Sequence, residues 1–247
     1  KSIPWSVSEA LGGVLDAAAL ADDHQAIVRI IERAETRPGR DGRFANLVAH
    51  VLKNPVRIAW LIERLRSGLP TDLAGLRSWL ARLGPGSDAI LLDALEASEK
   101  GPAQELFAEA LAHALPANPT PVTARLENPN LRTAAAFCFA LERAQLPDRN
   151  RVFQNLIARR EPALQAEVLT GRARARAADA LPLLEGGLGD KSDEVRKRAL
   201  ELIGELGGVR GFQLLQRLMK DASFEARPVP ERARFWASLL DCGADAA

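Results

Sequence analysis

Apolar residues return every three or four positions along nearly the whole chain, and each run stops at a short link containing Asp, Asn, Gly or Pro. Between Ser6 and Leu20, the spacing of Val7, Ala10, Leu11, Val14, Leu15 and Ala18 predicts one helix with a single apolar stripe. Ile27, Ile30, Ile31 and Ala34 predict a second helix. Phe44, Leu47, Val48, Val51 and Leu52 predict a third, and Ile58, Leu61, Ile62 and Leu65 a fourth. Leu69-Pro70-Thr71, Gly84-Pro85-Gly86-Ser87 and Gly101-Pro102 then open helices over Asp72–Leu83, Asp88–Ser98 and Ala103–Leu115. In each case proline stands near a first turn, where its missing N–H costs least. No alternating run of β-branched residues bounded by turns occurs, so strands are not expected. The pattern is one of helix hairpins in series.

Three prolines between Pro116 and Pro121 are too many for a helix interior and predict a rigid break. The expected division is 1–116, degenerate helical repeats, and 117–247, clearer repeats continuous with the first half. In the second part, Pro129–Phe137, Pro162–Leu169 and Asp193–Leu200 align with Leu131, Leu164 and Val195 in register, at offsets of 33 and 31 residues. A period of that size holding two helices indicates stacked units, each of which buries its apolar face only against its neighbours.

The clearest unit, 183–220, carries a leucine-rich helix end, the turn Gly189-Asp190, Val195-Arg196, Ala199 and Gly204, then a second helix with Phe212, Leu214, Leu215 and Leu218. That run resembles the HEAT repeat, of the armadillo-type α-solenoids. The likeness implies an all-α fold, a right-handed α-α superhelix of antiparallel helix pairs. First helices would form a convex outer layer. Second helices, including Pro147–Ala158, Ala177–Leu188 and Val209–Lys220, would form a concave inner one. Asp190 or Asp193 is placed to cap the helix that follows, and Arg196 to reach carboxylates or carbonyls in an adjoining turn. Pro230–Leu240 reads as the first helix of another unit. Its apolar face is expected to meet further chain or another molecule.

Composition adds little to this picture. A net charge of +1 gives no global field, and no apolar run approaches the ~20 residues of a membrane span, so no membrane insertion is expected. Of 33 basic residues only six are lysine, and alanine is abundant, a usage typical of GC-rich bacterial genomes. The two cysteines, Cys138 and Cys242, stand far apart without a CxxC, which fits free thiols in a cytoplasmic protein.

No catalytic, cofactor or metal constellation stands out. His24, His50 and His113 fall in three different helices without a zinc spacing, so each reads as structural or surface. Gly186–Ser192 has Asp where a phosphate loop needs Gly, and no strand precedes it. The four tryptophans invite comparison with a HEAT-like family of DNA glycosylases. However, Trp236 has its nearest following carboxylate, Asp241, five positions on and off its helix face, while Trp60 and Glu63 lie among core residues.

One local feature stands out. Between Arg143 and Leu200, twelve basic residues face eight acidic ones, densest at Arg172, Arg174 and Arg176. With Arg149, Arg151, Arg159 and Arg160 these are the candidates for binding an anion or an acidic partner. Inter-repeat Arg–Asp pairing is the favoured structural alternative, because no aromatic residues for base stacking are interleaved. The leading expectation is a non-enzymatic protein–protein interaction scaffold, a module of a larger bacterial regulatory or assembly protein, taking a protein or peptide on its concave face. The alternative is nucleic-acid binding, simple or glycosylase-like, through 143–198.

Overall fold

The computed structural model describes residues 5–36, 55–66, 68, 72–83, 87–176 and 179–244. The helix expected over Phe44–Leu52 lies outside them, as do His50 and the turns at 69–71 and 84–86. Among the described residues every regular element is helical, and no strand is present. By internal contacts the chain divides into two compact units, Lys1–Pro121 and Val122–Ala247.

In the first unit, α1 (Trp5–Leu20), α2 (His24–Thr36), α3 (Pro55–Arg66), α4 (Leu73–Ala81), α5 (Asp88–Ala97) and α6 (Pro102–Ala114) follow one another. α2 packs on α4 and α4 on α6, while α3 packs on α5. Two positions of the expected α1 stripe are displaced. Val14 is exposed and Ala10 faces solvent, whereas Leu15 and Ala19 are buried. The stripe therefore runs Leu11–Leu15–Ala19; a run of alanines on every side of this helix leaves its apolar face ambiguous in sequence. Asp72 ties two helices at once. Its Oδ1 accepts from the Gly75 amide at the start of α4 (2.9 Å), and its Oδ2 from the Gln25 amide at the start of α2 (2.8 Å).

α7 (Thr120–Glu127) begins where the proline-rich stretch ends, with Pro121 in its first turn. The second unit continues with α8 (Leu131–Ala144), α9 (Arg149–Ala158), α10 (Pro162–Arg176), α11 (Leu181–Leu188), α12 (Asp193–Leu206), α13 (Gly208–Met219) and α14 (Val229–Ala244). First helices stack in the order α8, α10, α12, α14. The second helices α9, α11 and α13 pack beside them. These are helix pairs in the manner of a HEAT-like solenoid.

The period is stricter than the sequence alignment suggested. α8, α10 and α12 begin at 131, 162 and 193, a constant spacing of 31 residues. The position equivalent to Leu164 and Val195 is thus Thr133, buried like them, and not Leu131, which is exposed. A hydroxyl is tolerated there because Thr133 Oγ1 donates to the Asn130 carbonyl (3.3 Å). The second helices keep the same spacing: Phe153, Leu184 and Leu215 are all buried. From α12 to α14 the step lengthens to 36 residues, accommodating a short 3₁₀ turn at Ala222–Phe224.

α8 and α10 approach most closely, and Gly171 is the reason. A Cβ at this position would stand 2.1 Å from the Ala135 carbonyl oxygen and 2.8 Å from Cys138 Cβ. Gly204 plays a milder version of the role between α12 and α14, where a Cβ would meet Asp241 Cβ at 3.1 Å. α12 passes to α13 through Gly207 alone, with Gly208 opening α13 at φ +46°.

Candidate functional site

The arginines of α10 project from its last turns back toward α8. Arg172 Nε donates to Glu142 (2.9 Å), Arg176 Nε donates to the same carboxylate (2.8 Å), and Arg149 Nε stands 3.7 Å away from it. Glu142 itself is buried at 6% exposure. Burial alone would push its carboxyl up, but the Arg172 and Arg176 guanidiniums outweigh that and hold it below the usual carboxylate range. Arg172 also lies over the Phe153 ring, 4.6 Å from its centroid. Arg174 points the other way along the stack and pairs with Glu205 of α12 (3.0 Å). The densest basic cluster of the sequence thus joins α8, α10 and α12 to one another.

The remaining candidates are dispersed. Arg151 is exposed and pairs with Asp148 one turn before it (3.6 Å). Arg159 donates to the Glu127 carbonyl, which joins α9 to the end of α7. Arg160 sits past the end of α9 with φ +57°, its side chain in solvent.

In the clearest unit the Asp190 carboxylate accepts from the Ser192 amide (2.8 Å), while the residue before α12 is Ser192. Asp193 is the first residue of α12 and pairs with Arg196 (3.2 Å) and with Arg234 of α14 (3.0 Å). Arg196 donates to the carbonyls of Asp190 and Lys191, both at 3.0 Å, and reaches Glu231 of α14 at 3.4 Å. Val195 is buried beneath it.

Residues 149–228 match the family model for HEAT repeats. No curated protein and no solved structure matches the chain. The matched segment runs from the start of α9 to just before α14, and it contains the two 31-residue steps between the buried positions Phe153, Leu184 and Leu215 of the second helices. One of its glycines, Gly187, faces Ala199 and Leu169, each 3.1 Å from where a Cβ would be; the small residue lets neighbouring helices close up.

Elsewhere the titratable groups are structural in their surroundings. His24 is buried at 1% exposure and stacks on Trp79 with ring centroids 5.9 Å apart. Burial lowers its pKa, against the upward pull of Asp72, Asp22 and Asp23, and its Nδ1 has no hydrogen-bond partner. His113 is exposed near the end of α6. Burial pushes the Cys138 thiol up to about 12, and the buried Cys242 donates to the Ile203 carbonyl (3.1 Å). Among the described residues no group of three His, Cys, Asp or Glu could hold a metal ion, and no helix is long and apolar enough to cross a membrane. A hollow of about 400 Å³ in the first unit, walled by Leu15, Ile27, Val56, Trp60 and Trp79, is mostly apolar. Its polar edge is the Arg57–Asp16 ion pair.

Sequence reasoning missed the hub at Glu142. The available signal was a lone acid on the apolar side of α8, 30 residues ahead of Arg172 and so almost one period from it.

Proposed function

We propose that this chain is a non-catalytic protein-interaction scaffold, with the outward faces of the second helices α9, α11 and α13 as its docking surface. One observation carries the reading. Residues one period apart on those helices are exposed together, as Gln154, Glu185 and Gln216 in one row and Asn155, Gly186 and Arg217 in the next. A 31-residue step repeats exposed positions at regular intervals along the unit, an arrangement suited to an extended peptide or the face of another domain. The rows are polar with little aromatic surface, which favours hydrogen bonding over deep apolar anchoring. The arginine-rich, alanine-rich composition and the buried free thiols support a bacterial cytoplasmic setting within a larger assembly.

Nucleic-acid binding through 143–198 receives less support, because Arg172, Arg174 and Arg176 are each already paired with a carboxylate, Glu142 or Glu205. The test is site-specific photocrosslinking in native lysate from Gln154 and Gln216, with exposed Glu194 of α12 as the control position. Protein adducts at the first two and not at the third are expected. Nuclease-sensitive adducts alone, or equal labelling at all three positions, would overturn the reading.

A further inference from the structure

More arginines gather at Glu142 than one carboxylate can balance. Arg172 Nε and Arg176 Nε of α10 donate to it (2.9 and 2.8 Å), and Arg149 Nε of α9 stands 3.7 Å away. Arg143 reaches the same corner, donating through Nη1 to the Ala175 carbonyl beside Arg176 (3.5 Å). Arg149 donates through Nη1 to the Leu146 carbonyl (3.1 Å), and its Nε is buried without a hydrogen-bond partner. The outer parts of the cluster remain open to solvent: Arg143 is exposed, and the side chains of Arg149 and Arg176 keep 25% and 35% of their surface.

Among the described residues, Glu142 is the one carboxylate that pairs with any of these four arginines. Asp148 pairs with Arg151 instead (3.6 Å), and the exposed Asp179 beyond the end of α10 is bridged to none of them. The C-terminal ends of α8 and α10 add roughly half a negative charge each at this corner, and the start of α9 offsets part of that. Positive charge is left in excess, and guanidiniums held this close repel one another. Stacking itself does not call for the cluster. One and two 31-residue steps further on, the place of Glu142 is held by Ala173 and Gly204, and that of Arg149 by Ala180 and Gly211, all buried. The later units close with small residues where this one collects charge.

We propose that the corner formed by Arg143, Arg149 and Arg176 around Glu142 is a binding site for a phosphate-type oxyanion, either free phosphate or a phosphorylated side chain of a protein partner. A tetrahedral dianion suits it better than a second carboxylate would. It offers oxygens to several guanidiniums at once and cancels about two charges.

Titration of this chain with inorganic phosphate at constant ionic strength, read by NMR from the arginine Nε–H resonances, tests the proposal, with circular dichroism confirming that each variant is folded. Saturable shifts at Arg149 and Arg176 are expected. Arg149→Gln leaves both guanidiniums that are bonded to Glu142 in place and should weaken binding about tenfold, as expected for a charge-assisted hydrogen bond. Lys191→Gln, at an exposed cation on the turn before α12, should leave binding unchanged. Glu142→Gln removes the competing carboxylate, so it should bind phosphate more tightly than the wild type and gain more thermal stability from it. A phosphoserine peptide and its serine form, titrated in the same way, identify the source. A phosphoserine peptide tighter than phosphate assigns the site to a modified partner, and phosphate tighter than the peptide assigns it to the free anion. Absence of saturable binding, or equal weakening by Arg149→Gln and Lys191→Gln, would overturn the proposal. So would a folded Glu142→Gln protein that no longer binds phosphate, a serine peptide that binds as well as its phosphorylated form, or short duplex DNA that displaces phosphate more readily than the phosphoserine peptide does.

Discussion

Gly171 shows how much of the packing rests on one missing side chain. Its nearest would-be neighbour is a backbone carbonyl, which cannot rotate away, so Gly171→Ala must push α8 and α10 apart. A loss of about 3 kcal/mol is expected in urea unfolding, near the upper end for overpacking. Glu142 concentrates a second dependence. Glu142→Gln leaves Arg172 and Arg176 facing a neutral group across a buried contact. Because both guanidiniums retain some solvent, the expected loss is about 2–3 kcal/mol, below that for a fully enclosed pair. The pH dependence has a definite sign. The folded-state pKa of Glu142 lies below its ordinary 4.5, so its contribution is complete above that value and is lost as pH falls through the depressed pKa. The glutamine variant should therefore show a flatter acid limb.

His24 acts in a different pH window. Its folded pKa is lowered by burial from 6.5, so the unfolded chain takes up a proton first and stability declines as pH drops below about that value. Protection of the α2 and α4 amides, corrected for the slower intrinsic exchange at lower pH, should fall on mild acidification, while His24→Phe, which keeps a ring against Trp79, should remove the dependence. Unchanged protection in the wild type would mean that His24 is protonated at no cost where it stands.

At the scale of elements, the helices were legible because amphipathic spacing and proline or glycine links are local signals. Asp88–Ala97, Pro102–Ala114 and Gly208–Met219 fall within a residue or two of their expected bounds. Register between repeats was less legible. Leu131 matches Leu164 and Val195 by chemistry, yet Thr133 holds the equivalent place, because a threonine whose hydroxyl bonds to the preceding turn packs as an apolar residue does. The basic cluster was legible as a cluster but not as a set of bonds. Whether Arg172 meets a phosphate or Glu142 depends on which face of α8 turns toward α10, and Gly171 decides that through close approach, a tertiary property. The stripe of α1 failed for the opposite reason: with Ala10, Ala17, Ala18 and Ala19 all small and apolar, several faces read equally well.

At the scale of the molecule, the account makes the second unit a modular stack in which equivalent faces are interchangeable. Removing residues 193–228, which is one step of 36, brings α14 onto α10 in the register now held by α12. Arg234 would replace Arg198 beside Thr170, and Asp241 would replace Glu205 beside Arg174. A deletion two residues longer, 193–230, leaves no linker to absorb the offset: α14 then continues from Ser192 turned by about 200°, which faces its buried side away from α10 and breaks both matches. The most direct measurement is urea unfolding of the two deletion proteins followed by circular dichroism. Modular stacking predicts that the in-register protein unfolds cooperatively with a smaller dependence on denaturant, as its reduced buried surface requires, while the out-of-register deletion loses cooperativity. Equal behaviour of the two, or collapse of the in-register protein alone, would contradict it.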